Sequence, residues 1–154
     1  MRRIYVLTFI LSILCCSCSS YQANKAFVEL KSNISQAQKE LKIGGSTTIK
    51  IENNVNADLY VISSAYIQKE YVFSNGQSFG LNNNISKKIS QLSGSQDGIY
   101  FFIIKNNKII SFSELGSFVR IEEPCIFIKS RDSVELFLKK TDAKYRPLTI
   151  FLED

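Results

Sequence analysis

The stretch "IYFFII", Ile99 to Ile104, has no polar face. Successive side chains of a strand point to opposite sides, so a strand of this composition must be covered on both. Three arrangements do that: a central strand with a layer on each side, the core of a sandwich, or a surface buried by self-association. Left as an open edge, the run would invite aggregation. It leads through "KNNK", Lys105 to Lys108, into a second apolar run, and the central Asn pair tolerates the positive φ of a tight antiparallel hairpin.

Outward from that hairpin, β-branched and aromatic residues dominate from Thr47 onward, with a period near 2. Strands are expected at Thr47–Glu52, Leu59–Ser63, Tyr66–Phe73, Ile99–Ile104, Ile109–Ser113, Phe118–Ile121, Cys125–Lys129, Val134–Leu138 and Leu148–Leu152. Asn75-Gly76 reads as a further type I′ turn. Before the strands, Phe27, Leu30, Ile34, Ala37 and Leu41 recur at steps of 3 and 4, forming one apolar stripe on a helix of about 17 residues that Gly44 and Gly45 end. The stripe suits a helix packed on its own domain better than a coiled-coil seam, for which two heptads are few. Ile85, Ile89 and Leu92 after Asn84, closed by Gly94, mark another helix. The fold class is therefore α+β, an N-terminal amphipathic helix packed on an antiparallel sheet of about seven to nine strands, with a β-sandwich plus helix as the alternative.

The 154 residues contain 45% apolar and 21% charged residues, which suits one globular domain and argues against disorder. With Arg2 and Arg3 set aside, 17 basic residues face 14 acidic ones, too small a surplus for a nucleic-acid partner. Histidine is absent, which removes the commonest general base and the commonest metal ligand.

The N-terminus carries a different signal. Arg2 and Arg3 precede "IYVLTFILSIL", Ile4 to Leu14, an uncharged run of 11 residues. As a helix it covers roughly 16 Å, about half of a bilayer core, so it reads as a signal peptide and not as an anchor. The following "CCSC", Cys15 to Cys18, has no distant cysteine cluster at zinc spacing with which to form a metal site. It resembles the lipobox of bacterial lipoproteins, usually written Leu, then Ala or Ser, then Gly or Ala, then the modified Cys. Cys18 has two small residues before it, Cys16 and Ser17, with Leu14 one step further back than the pattern prefers and Cys15 where Leu is usual. Cys16 is the alternative, with Leu14 two positions before it.

The resemblance implies a signal peptide over residues 1–17, a lipidated tether over 18–24 and a single globular domain over 25–154. It implies a diacylglyceryl thioether on Cys18, usually with a third acyl chain, and so membrane lipid as a partner; two or three chains make release negligible. Ser19 stands where Asp often marks inner-membrane retention, so the outer membrane of a double-membrane bacterium is expected. "SSYQANK" carries no acidic stretch of the kind that directs export to the surface, so the domain is expected to face the periplasm.

No catalytic motif stands out, and no cofactor-binding or metal site is expected. There is no Gly-rich phosphate loop and no Ser-x-x-Lys. Glu122 and Glu123 are adjacent at a strand end, where neighbouring side chains diverge. Asp132 and Glu135 have a more usable spacing, yet such a pair beside a turn is ordinarily solvated. Cys125 shares a strand face with Phe127 and reads as a buried structural thiol, since no histidine can activate it. The basic groups, Lys87-Lys88, Lys105 with Lys108, Lys129 with Arg131, and Lys139-Lys140 with Lys144 and Arg146, are scattered through loops and strand ends. Asp132-Ser133-Val134 resembles the Asp-Ser/Thr-apolar O-glycosylation pattern of extracytoplasmic Bacteroidetes proteins, which makes Ser133 a modification candidate. Two function classes follow: a membrane-anchored protein-binding or accessory module of the envelope, inhibitor- or immunity-like and not an enzyme, or an envelope hydrolase working with carboxylates alone.

Overall fold

The computed structural model describes residues 25–53, 55–94, 98–116, 118–130 and 133–151. The leader, Cys16, Cys18 and the tether, together with Arg131 and Asp132, lie outside the described residues. In chain order the elements begin with helix α1 (25–40), strands β1 (Ser46–Glu52) and β2 (Leu59–Ser64), helix α2 (Lys69–Gly76) with a 3-10 turn at Gln77–Phe79, and helix α3 (Asn83–Leu92). Strands β3 (Ile99–Lys105), β4 (Lys108–Glu114), β5 (Val119–Ile121), β6 (Cys125–Lys129), β7 (Ser133–Lys140) and β8 (Leu148–Phe151) follow. The fold is α+β.

Residues 99–104 of β3 are all buried, as their lack of a polar face requires. The reason is a layered arrangement. Strands β4-β3-β2-β6 form one antiparallel sheet. One set of its side chains, including Tyr60, Ile62, Phe101, Ile103 and Ile126, packs with α1 and the second sheet. The alternate set, including Val61, Tyr100, Phe102 and Phe127, packs under α2 and α3. On the first side Phe101 meets Phe27 of α1 edge-on at 5.5 Å and stacks on Tyr60 at 5.5 Å. The α1 stripe of Phe27, Leu30, Ile34 and Ala37 is buried there, so the helix closes its own domain's core.

Among the described residues eight strands are divided between two sheets of four instead of being joined in one. The second has the order β1-β7-β8-β5, antiparallel except for the parallel pair of β5 and β8. Its inner face contributes Ile49, Ile51, Leu136, Leu138 and Ile150 to the shared core. A short β5 can join β8 in parallel because the chain between them passes through β6 in the other sheet, which supplies the long crossover that parallel pairing needs.

The β3–β4 hairpin has the turn expected from "KNNK": Asn106 and Asn107 sit at φ 48° and 53°. Helix α3 is present, and its cap is Asn82, whose Oδ1 accepts from the Ile85 N–H at 2.9 Å. The expectation of a strand at Tyr66–Phe73 is corrected. Tyr66 is in a left-handed turn at φ 58°, and Lys69–Gly76 is helical, burying Val72 against the central sheet. Ile67 and Val72 of that segment are buried on the apolar layer with Tyr71 packed against it, and this tertiary burial outweighs strand propensity. Asn75-Gly76 is likewise not a hairpin turn. Gly76 has φ −82°, and glycine is needed for space, because a Cβ there would lie 2.9 Å from Leu81 Cδ1 and 3.1 Å from Phe127 Cε1.

Phe101 is the side chain where α1, β2 and β3 meet, so Phe101→Ala is expected to cost about 3–5 kcal/mol by leaving a cavity at that junction. Urea or thermal unfolding measures it. Phe112→Ala, on a ring 45% exposed at the β4 edge, should cost far less.

Candidate functional site

Among the described residues strand β1 is an edge of the second sheet, paired only with β7. The Lys140 N–H donates to the Gly45 carbonyl at 2.9 Å, and the Thr141 N–H donates to the Pro147 carbonyl at 2.7 Å on the other side of β7. This parity turns the main-chain groups of Thr47, Ile49 and Ile51 toward β7. Those of Ser46, Thr48, Lys50 and Glu52 point away from the sheet, and all four residues are exposed. The result, among the described residues, is an unpaired edge along a strand of 7 residues.

Helix α1 runs beside that edge. A hollow of ≈360 Å³ lies between Asn33, Gln36 and Glu40 of the helix and Thr47, Thr48 and Lys50 of the strand. A smaller one of ≈10 Å³ lies between Glu29 and Leu30 and the end of β1 at Lys50–Glu52. Early helix residues meet the end of the strand and late ones its start, so the two elements are antiparallel and the hollows form one seam. The helix side of the seam is polar because Glu29, Asn33, Gln36 and Glu40 follow the i, i+4, i+7, i+11 spacing, a shoulder next to the buried stripe. Within it Gln36 Nε2 donates to Glu40 Oε1 at 2.9 Å. At the strand end Lys50 Nζ lies 3.1 Å from Glu52 Oε1, an exposed pair that contributes little to stability.

A second hollow, ≈330 Å³, lies against β6, between Tyr71, Asn75, Ser78 and Phe79 on one side and Glu123, Cys125 and Phe127 on the other. Phe79 stacks on Phe127 at 5.4 Å, with Lys129 Nζ 5.9 Å above the Phe79 ring. Here Cys125, Ile126 and Phe127 of the strand are buried, whereas Ile128 is half-buried and Lys129 exposed.

The structure separates most of the residues singled out from the sequence. Glu123 sits beside Cys125 and Tyr71, and Glu122 is exposed on the bend after β5. Glu135 is exposed on the outer face of β7, opposite Lys50. Ser133 opens β7 half-buried, opposite Glu52. Lys87 and Lys88 are on α3 in one outer layer, whereas Lys139 is on the sheet in the opposite layer. Lys105 Nζ reaches the Val55 carbonyl at 3.1 Å, and Lys140 Nζ reaches that of Gln38. Lys87 and Lys88 therefore share no face with Lys139. Among the described residues no cluster of three or more potential metal ligands occurs, and no helix is long and apolar enough to cross a membrane.

The sequence reading placed β1 but missed its open edge and the seam. The available signal was the alternation in "STTIKIE", where polar and charged residues fall on every second position, as edge strands tend to carry. Comparison with protein-family models, curated proteins and solved structures found no match to this chain.

Cys125 is buried and free, beside Phe127. Burial, and next the Glu123 carboxylate, push its thiol well above the ordinary range. It should therefore resist a thiol reagent at pH 8 in the folded chain and react fully once unfolded, as absorbance of the released chromophore would report. Because the folded thiol stays neutral, the stability it supports is intact below the ordinary thiol pKa and declines above it, as the unfolded chain ionises.

Proposed function

We propose that this chain is an outer-membrane lipoprotein, anchored through acylated Cys18 and facing the periplasm, whose domain is a protein-binding or accessory module of the envelope, inhibitor- or immunity-like. The open edge of β1 beside α1 is its binding surface. The observation that carries the reading is the combination of a 7-residue strand whose outer edge is unpaired among the described residues with a helix-lined seam along it. An edge of that length is a hazard unless something uses or blocks it, and strand addition is a recurring way for a domain to hold another protein. The alternative of a carboxylate hydrolase has less support: Glu29 and Glu52 share only the smaller hollow, and Glu29 and Glu40 are separated by about 16 Å of helix rise, beyond the ~5–9.5 Å of a glycosidase pair. Ser133 is retained as a modification candidate; its place at the start of β7 leaves it half-exposed.

A photo-crosslinking residue at Thr48 of the full chain, expressed in its native envelope, tests the surface. A discrete protein adduct is expected from position 48 and not from the same group at Lys87, on the opposite outer layer. Equal adducts from both, or none from either, would contradict the reading. In the same cells a fatty-acid label is expected on the wild-type chain and absent from Cys18→Ala.

A further inference from the structure

The seam between α1 and β1 is unevenly charged. Glu29, Glu40 and Glu52 line it, and the one lysine among its described lining residues, Lys50, is already engaged with Glu52 at 3.1 Å. None of the α1 lysines, Lys25, Lys31 and Lys39, lines either hollow. The remaining polar lining, Asn33, Gln36, Thr47 and Thr48, is neutral. From this we infer that the seam takes an extended segment of a protein partner carrying two basic residues four positions apart, added as a strand to the edge of β1. The inference rests on the protein-binding reading above and names the chemistry of the partner.

The spacing follows from the geometry. In a paired strand, opposed residues share a face, so partner residues opposite Thr47 and Ile51 turn toward the α1 shoulder. Glu40 borders the hollow at Thr47, and Glu29 borders the one at Ile51. Residues four apart in a strand are about 13 Å apart, and Glu29 and Glu40 are about 16 Å apart along the helix, a difference that long Lys or Arg side chains span. Main-chain bonds to Ser46, Thr48, Lys50 and Glu52 would supply the contact, and the two carboxylates the selectivity. A second copy of this chain fits less well. Two β1 strands paired antiparallel about Ile49 set Lys50 against Thr48 and Ser46 against Glu52, and leave Glu29 and Glu40 unmatched.

The test uses the full acylated chain in detergent micelles and three fluorescent nonapeptides of alternating threonine and valine. The first carries lysine at positions 3 and 7, the second glutamate at those positions, and the third is the lysine peptide N-methylated on the edge-facing amides. Fluorescence anisotropy reads affinity, and amide shifts of residues 46–52 read the place of binding. The lysine peptide is expected to bind at β1 about fivefold to tenfold tighter than its glutamate twin at low salt, with the difference shrinking as salt screens it. N-methylation should abolish binding, and a Glu29→Gln, Glu40→Gln chain should lose the preference while still binding at β1. Equal affinity for the two charged peptides would overturn the basic-partner inference and leave strand addition standing. No binding by any peptide, or no effect of N-methylation, would overturn strand addition itself. A concentration-dependent dimer contacting β1 would replace the partner by a second copy. The adduct at position 48 is an independent readout, so an adduct to another protein without a lysine preference separates failure of this inference from failure of the protein-binding reading.

Discussion

Covering both faces of β3 is the constraint on which the rest of the structure depends. A strand reading Ile-Tyr-Phe-Phe-Ile-Ile has no side to offer water, so the chain must supply two apolar layers where a half-exposed sheet needs one. It does so with different materials. One layer is a pair of short helices, joined to the central sheet by the Ser63–Ser93 hydroxyl contact at 3.1 Å, with α3 also tied to the connection between β2 and α2 by the hydrogen bond from Ser90 Oγ to the Ile67 carbonyl at 2.7 Å. Those bonds satisfy polar groups that burial would otherwise leave unpaired. The other layer is the second sheet with α1, and Asn53 ties it in: its Oδ1 accepts from the Ala57 N–H and the Tyr60 hydroxyl, each at 2.8 Å, where the chain passes from one sheet to the other.

That division of labour creates the seam. The inner face of the second sheet is filled by alternate residues of β1, β7 and β8, but α1 is also needed to cover the part of β3 that the sheet does not reach, as the Phe27–Phe101 contact records. A helix placed there runs alongside β1 without being able to bond to its main chain, because the helix satisfies its own main-chain groups. The open edge is thus a consequence of closing the core with a helix, and the polar shoulder of α1 gives that edge its chemical character.

Features set by local physics were legible in the sequence. The apolar run of β3 announced its double burial, the Asn pair at 106 and 107 its turn, and the stripe of α1 its packing. Tyr66–Phe73 reads as a strand because Ile67 and Val72, which cover the sheet from a loop and from α2, are β-branched residues that suit a strand equally, and Gly76 reads as a turn because its role is close approach to Leu81 and Phe127, which no local pattern reveals. The candidate site was hidden for a similar reason. Whether a strand is central or at an edge depends on which strands pair, and the pairing of β1 with β7 joins segments far apart in the chain. The seam is also built from Glu, Gln, Asn and Thr, ordinary surface residues until the fold aligns them.

Native-state amide hydrogen exchange on β1 and β3 tests the account most directly, because it reads the doubly covered strand and the open edge in one measurement. Amides of residues 99–104 should exchange only through global unfolding, and those of β1 should alternate, with 47, 49 and 51 protected and 46, 48, 50 and 52 exchanging rapidly. Uniform protection along β1, equal to that of β3, would contradict the account, since it would mean that the edge is already paired and the seam closed.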